Sequence, residues 1–330
     1  MANKQEESKA TDLSKFKDSI YKNFGKTSGI IVEDPANIVI EKFRTGSYLL
    51  TADLKGGWAK GTLIEIYGDN GSGKTTLCAS AIAEHQKSYP DEPILWVDLE
   101  KVFDPVYFQT LGVNIDPEKF ILVRPSVGEE AWEIMISFAK TFQKGAIVLD
   151  SVALLLPVKE DEGQVGDAQM AAAARMNSQG LRKLFPYMGF GKTTMFAINQ
   201  VRKNIGGYGD PTVTTGGGSW AFYARTRIQS SSSKGEVGEY ANHKFKQVKS
   251  NYGNKDIVTE TTINYGEGFD RMKELLALCV DEGIVTKSGS WYKYGEDQLG
   301  QGADSVTEIL KDNPELVEIF ETQLIEKGLL

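Results

Sequence analysis

The sequence predicts an α/β fold with a mostly parallel central sheet, an N-terminal helical arm and a small α/β C-terminal domain. Three features of the 330 residues point there: short, nearly uninterrupted apolar runs, helical segments between them, and a change after residue 225 to Thr-, Ser- and Val-rich stretches broken by turn residues. Strands apolar on both faces that alternate with helices belong to a parallel sheet covered on each side. The composition, 41% hydrophobic and 25% charged, is that of an ordinary soluble globular chain. Its length suggests about two domains at roughly 150 residues each.

In chain order, Leu13, Phe16, Ile20 and Phe24 fall at helical spacing, with Gly25 as the stop, and a linker runs to Asn37. So short a stripe must dock on something, either its own core or a neighbouring subunit. Residues 1–37 are therefore read as an arm and linker, and 38–269 as the core. Within the core, 63–67, 94–97, 120–123, 146–149 and 195–198 read as strands, and 73–88, 105–111, 129–141 and 168–185 as helices. Residues 225–263 read as antiparallel strands at a sheet edge. Residues 270–330, with helices over 271–280, 306–310 and 314–325 around a hairpin at 291–294, form the C-terminal α/β domain.

Composition excludes several classes. Cys78 and Cys279 are far apart with no C-x-x-C spacing, which fits a reducing, cytoplasmic setting and argues against a zinc site or a disulfide scaffold. The N-terminus has no apolar signal segment, and no apolar run approaches the ~20 residues that span a bilayer, so no membrane association is expected. The net charge of −8 alone points away from nucleic acid, yet residues 168–255 hold 13 basic and three acidic side chains, net +10 against −18 elsewhere. A confined basic stretch is the footprint of a polyanion site.

Residues 68–75, Gly-Asp-Asn-Gly-Ser-Gly-Lys-Thr, satisfy G-x-x-x-x-G-K-[ST] between a strand and a helix, the setting this motif requires. Its glycines let backbone N–H groups curl round phosphates, and the helix N-terminus adds its dipole. Lys74 then reaches the β- and γ-phosphates of ATP, and the Thr75 hydroxyl binds Mg²⁺. A similar Gly-Lys-Thr-Thr at 191–194 has Pro186 at the first-glycine position and a strand after it, so it reads as a turn. Asp150 closes an apolar strand, the arrangement in which a carboxylate holds Mg²⁺ through water.

Glu100, beyond another strand end, is the choice for activating the attacking water; an exposed loop carboxylate is the alternative. Asn199 and Gln200 close a third strand, where an amide could sense the γ-phosphate or merely cap the strand end. His85 and His243 have no partner spacing; packing explains them, and a metal-dependent or nucleophilic hydrolase is not expected. Residues 200–218, with six glycines after residue 205, are too long for a structureless loop in a compact core unless functional or disordered. They join 161–167 as loops leaving the nucleotide-side ends of neighbouring strands.

With these residues in place, the chain resembles the RecA family of bacterial and phage homologous-recombination ATPases. The resemblance runs from about residue 13 to the C-terminus through GDNGSGKTT, VDLEKVFDPVY, IVLDSVALL, GDAQMAAAARMNSQGLRKL, INQVRKNIG, TTGGGSWAFYA and YGEGF, then WYKYG, LGQG and LKDNPE. It implies a RecA-like P-loop core and an ATP-dependent recombinase. Such a protein forms helical homo-oligomeric filaments on single-stranded DNA, with ATP and Mg²⁺ between protomers and the N-terminal helix on the next subunit. It pairs that strand with homologous double-stranded DNA, and ATP hydrolysis releases the DNA.

The resemblance implies a nucleotide set of Gly68, Asp69, Asn70, Gly71, Ser72, Gly73, Lys74, Thr75 and Thr76, with Asp104 and Tyr107 on the adenine. Thr75 and Asp150 serve the metal, Glu100 the water, and Gln200 the coupling of γ-phosphate to DNA. Residues 161–167 with Gln169 and Met170 match a first DNA loop and 201–217 a second. Arg175, Ser178, Arg182, Arg202, Gly216 and Gly217 match DNA-backbone contacts. Lys249 matches the first of two lysines that the family presents to a neighbour's ATP, but Asn251 replaces the second and Ala221 a further lysine. Lost cations predict weaker or less cooperative DNA-stimulated turnover, and the lack of a long acidic tail after the last domain predicts less restraint on DNA binding. The rival readings are a ring-forming helicase motor on the same core and a DNA-coating filament with little turnover.

Overall fold

The computed structural model describes residues 2–24, 39–164, 170–203, 212–234, 239–252 and 255–330. The chain falls into two compact units, residues 1–40 and 41–330. The first holds α1 (Ala2–Phe24). This helix starts well before the apolar stripe, because the Lys, Gln, Glu and Ala residues ahead of it are good helix formers. Leu13 and Phe16 are exposed on it. No helix among the described residues is long and apolar enough to cross a membrane.

The second unit opens with β1 (Lys42–Phe43), α2 (Tyr48–Asp53) and β2 (Trp58–Ala59). Alternating elements follow: β3 (Leu63–Gly68), α3 (Lys74–Ser88), β4 (Ile94–Asp98), α4 (Pro105–Thr110), β5 (Phe120–Val123), α5 (Gly128–Phe142), β6 (Ala146–Asp150), α6 (Val158–Asp161) and α7 (Met170–Leu184). Next come β7 (Thr194–Lys203), β8 (Thr212–Thr214), α8 (Ser219–Tyr223), β9 (Thr226–Lys234), β10 (Tyr240–Ser250), β11 (Val258–Asn264) and β12 (Gly268–Phe269). The main sheet runs β12-β11-β10-β9-β3-β7-β6-β4-β5, parallel from β9 to β5 and antiparallel from β9 to β12.

Two cores cover its faces. α3 packs Leu77, Ile82 and Phe108 of α4 against Ile66, Trp96 and Phe196; α5 and α7 pack Trp132, Met135 and Leu181 against Leu95, Leu149 and Met195. Adjacent residues on each buried strand thus serve opposite cores, which is why the runs read as continuously apolar.

Two sequence expectations need correction. Residues 200–218 are not one loop: β7 continues to Lys203, and β8 returns beside it with Val201 opposite Thr214 and Lys203 opposite Thr212. β-Branched residues at both ends favour that pairing. The edge segment is also not wholly antiparallel, because β9 joins β3 in parallel register, Ile66 opposite Ile228.

α9 (Arg271–Asp281), β13 (Thr286–Ser288), β14 (Trp291–Tyr294), β15 (Asp297–Gln301), α10 (Ala303–Asp312) and α11 (Pro314–Glu326) complete the chain, the expected hairpin being part of a three-stranded sheet. They share a core that includes Tyr48 of α2. Beneath it the buried Glu274 carboxylate accepts hydrogen bonds from Ser47 Oγ (2.8 Å), Tyr48 N (2.7 Å) and Thr261 Oγ1. Burial pushes its pKa up from 4.5 to about 7 in spite of those bonds.

The fold therefore prefers protonated Glu274: its contribution is fully present below about pH 4.5 and is lost as pH rises through 7. The difference amounts to about 3 kcal/mol. Glu274→Gln, neutral throughout, should gain melting temperature relative to wild type between pH 5 and 8. Parallel pH profiles for the two proteins would rule this out.

Candidate nucleotide site and DNA interface

The parallel strands bring four sequence positions to one end of the sheet. β3 leads into the glycine-rich loop, and Gly73, at φ +83°, caps α3 in the left-handed region. Lys74 Nζ donates to Gly68 O (3.2 Å) and Asp69 O (2.6 Å). Thr75 Oγ1 donates to Asp150 Oδ2 at the end of β6 (3.3 Å). Gln200 Nε2 on β7 donates to Glu100 Oε1 (3.4 Å). Asn70, Gly73, Lys74, Thr75, Thr76, Glu100, Asp150 and Gln200 line one cavity of about 160 Å³.

The electrostatics of this cavity are strained by crowding. Burial lowers the Lys74 pKa, opposed by the charges of Glu100, Asp150 and Asp69. Burial, then the charges of Glu100 and Asp98, push Asp150 up to about 7. Its Oδ1 is buried without a hydrogen-bond partner among the described residues. A cation added beside it would relieve both conditions. No group of three or more His, Cys, Asp or Glu among the described residues is arranged to hold a metal ion by itself, but Mg²⁺ takes only one or two protein ligands when phosphates and waters supply the rest.

Glu100 is held from two directions. Leu99 N and Glu100 N donate to Asp150 O (2.6 and 3.2 Å), tying the end of β4 to β6. Asp98, fully buried, accepts from Val102 N (3.1 Å), Phe103 N (3.3 Å) and Arg124 Nε (2.9 Å), which fixes the turn carrying Glu100. Sequence reasoning missed Asp98; two acids two positions apart at a strand end, Asp98 and Glu100, were its one visible signal.

A second cavity, about 430 Å³, opens beside α3 and is lined by Gly73, Thr76, Asp104, Tyr107, His243 and Ile263 among others. Asp104 caps α4 by accepting from Val106 N (2.9 Å) and Tyr107 N (3.3 Å), with Pro105 at the first helical position. The Tyr107 hydroxyl meets Thr76 Oγ1 at 2.8 Å. The cavity's lining is more apolar than polar, which suits a flat heterocycle.

The basic residues gather elsewhere. Arg175, Ser178 and Arg182 follow one another at helical spacing on α7, both arginines exposed. Gly216 and Gly217, at φ +80° and +91°, approach that helix so closely that an added Cβ would lie 2.8 Å from Asn177 Nδ2 and from Ala174 Cβ respectively. Asn177 Nδ2 donates to Gly216 O (3.0 Å), and its Oδ1 accepts from the buried Trp132 indole (3.1 Å). Arg202 is exposed at the end of β7. Residues 165–169 and 204–211, within the two predicted DNA loops, and the Met170 side chain lie outside the described residues.

Lys249 is not brought to either cavity. Its Nζ donates to Ala221 O (2.9 Å) and Phe222 O (3.1 Å), at the end of α8 beside the exposed Phe222 ring.

Residues 11–270 match the RecA N-terminal domain family and residues 273–328 the RecA C-terminal domain family. The chain is 40% identical over 315 residues to the RecA protein of Bacteroides thetaiotaomicron, covering 94% of each chain. It is 38% identical over 341 residues to that of Thermotoga neapolitana, covering 99% of this chain and 95% of the relative. Against the RecA protein of Rippkaea orientalis it is 38% identical over 314 residues, 93% of this chain and 89% of the relative. With a glycine-rich loop and two carboxylates converging at the strand ends, and both domain families matched in order, the chain belongs to the RecA family.

Proposed function

We propose that this chain, a RecA-family recombinase and DNA-dependent ATPase, binds Mg²⁺·ATP with its phosphates in the smaller cavity and its adenine in the larger. The observation that carries this reading is the convergence of Lys74, Thr75, Asp150, Glu100 and Gln200 on one cavity. The orphaned Oδ1 of Asp150, beside the Thr75 hydroxyl, fits a hydrated Mg²⁺. Mg²⁺ bound there neutralises charge on the β- and γ-phosphates. Lys74 supplies a further cation to the same oxygens. Glu100 takes a proton from the attacking water, and Gln200, one hydrogen bond away, registers the γ-phosphate and passes its presence along β7 to β8.

Arg175, Ser178, Arg182, Arg202, Gly216 and Gly217 grip the phosphates of single-stranded DNA, so base pairing rather than protein contact reads homology with the duplex. Residues 1–37 dock on the next protomer of a filament, 38–269 form the ATPase core and 270–330 the C-terminal domain, acting in the cytoplasm. The exposed Leu13 and Phe16 support that docking.

Lys74→Ala should abolish ATP-dependent filaments on single-stranded DNA in electron microscopy with a non-hydrolysable ATP analogue. Normal filaments and strand exchange in that variant would refute the assignment. Asn251 donates its backbone N–H to Arg225 O (3.0 Å), and Asn251→Lys should restore a cation to the neighbour's phosphates and raise DNA-stimulated turnover several-fold. A rate at or below wild type would refute that role.

A further inference from the structure

The run of serines at 230–233 and His243 belong to none of the motifs above. β9 and β10 pair them, with Ser232 directly opposite His243. Ser230, two residues earlier, shares the face of Ser232. All three meet the outer side of the glycine-rich loop. Ser72 O accepts from Ser230 Oγ and from His243 Nδ1 (3.0 Å), and Gly71 O accepts from Ser232 Oγ (3.3 Å).

A carbonyl oxygen only accepts, so the ring proton of His243 sits on Nδ1. Burial holds this imidazole below the ordinary histidine pKa and therefore neutral near pH 7. The loop is also pressed sterically from the same side. A Cβ on Gly68 would lie 2.0 Å from Ser230 O, and one on Gly73 would lie 2.9 Å from both His243 Nδ1 and Ile263 Cδ1. The first and last glycines of the motif thus press against residues of β9, β10 and β11.

In a trans peptide the C=O and the following N–H point in opposite directions. Anchoring Gly71 O and Ser72 O outward therefore turns the N–H groups of Ser72 and Gly73 to the other, concave side. We propose that Ser230, Ser232 and His243 are positioning residues, a carbonyl clamp that presets two loop amides for the phosphate chain of the nucleotide. This rests on the nucleotide reading above and extends it, by making the antiparallel half of the sheet part of the phosphate site.

The test uses full-length Ser230→Ala, Ser230→Ala with Ser232→Ala, His243→Phe, and Ser230→Thr as the rescue, each checked for wild-type circular dichroism. Calorimetric binding of Mg²⁺·ADP and of adenosine separates the phosphate from the nucleoside contribution. Ser230→Ala should weaken ADP by about fivefold, the worth of one hydrogen bond, and His243→Phe, whose ring also lines the larger cavity, by at least as much. The double serine variant should lose more than tenfold with adenosine affinity unchanged, and threonine should restore binding. In steady state the serine variants should raise the KM for ATP while kcat stays within twofold. ADP affinity within twofold of wild type in the double variant overturns the clamp, as does an equal loss for ADP and adenosine in that same variant. Wild-type protein that binds neither ligand overturns the nucleotide reading and the clamp together, whereas normal wild-type binding with unaffected variants overturns the clamp alone.

Discussion

Glu100→Gln should lower DNA-stimulated ATP hydrolysis by about 10²- to 10⁴-fold, the usual worth of a positioned general base, while leaving ATP binding and DNA loading intact. The substitution is nearly isosteric and keeps an oxygen that can accept from Gln200 Nε2, while the backbone and Asp98 supports of residue 100 are untouched. Removing one negative charge also eases the crowding that raises Asp150. Magnesium-dependent nucleotide affinity should therefore hold or improve. Filaments on single-stranded DNA should persist once formed, because release is tied to turnover. Phosphate release and filament lifetime under excess competitor DNA measure both effects. Hydrolysis within tenfold of wild type would remove Glu100 from the chemistry.

Glu65→Ala should cost about 3–5 kcal/mol of stability, the usual penalty for breaking a buried pair from one side. Glu65 is fully buried in the middle of β3, where it accepts from Arg227 Nε (2.6 Å) and Asn199 Nδ2 (2.9 Å). Arg227 also lies over the Tyr67 ring at 4.7 Å and reaches Thr214 Oγ1 at 3.5 Å. Asn199 in turn bonds Thr215 O (3.0 Å) and accepts from Gln200 N (2.8 Å). Alanine at 65 strands a partly exposed guanidinium and a buried amide together. A melting-temperature drop on the order of 10 °C is expected.

Glu65→Leu combined with Arg227→Met should recover most of that loss, since removing both charges is often neutral. The double variant should still bind single-stranded DNA less tightly, because Thr214 loses Arg227, and Asn199, which holds Thr215, loses Glu65, at the base of the second loop. An undisturbed melting temperature in Glu65→Ala, or full DNA affinity in the double variant, would show that this network does not hold the loop.

Local signals carried much of the fold and the centre of the site. The glycine-rich loop is contiguous, and the strands around it are so apolar that their ends mark themselves, which exposed Asp150 and Gln200 without further information. Glu100 needed one more inference, that parallel strands present their C-terminal ends to ligand. What stayed illegible depends on pairing between distant segments. Glu65 looks like a polar interruption in an apolar strand until Arg227 is known to lie beside it, 162 residues later. His243 looks like a strand residue until β10 is placed beyond β9. The extension of β7 was hidden for a different reason: glycines within 206–218 announce a loop, and the short β-branched stretches at its roots are too brief to compete.

Asn177 gives the proposed DNA-facing surface an unusual kind of ownership. One amide joins the Trp132 indole, deep in a hydrophobic core, to the carbonyl of Gly216. The glycine pair is therefore fitted to the shape of α7, with no room for a methyl group on either residue. A chimera that imports the second loop from a distant relative, but keeps this chain's own α7, would mismatch the seat on which the loop rests. Helix and loop make one transplantable part, and exchanges between recombinases should move 170–184 together with 200–218.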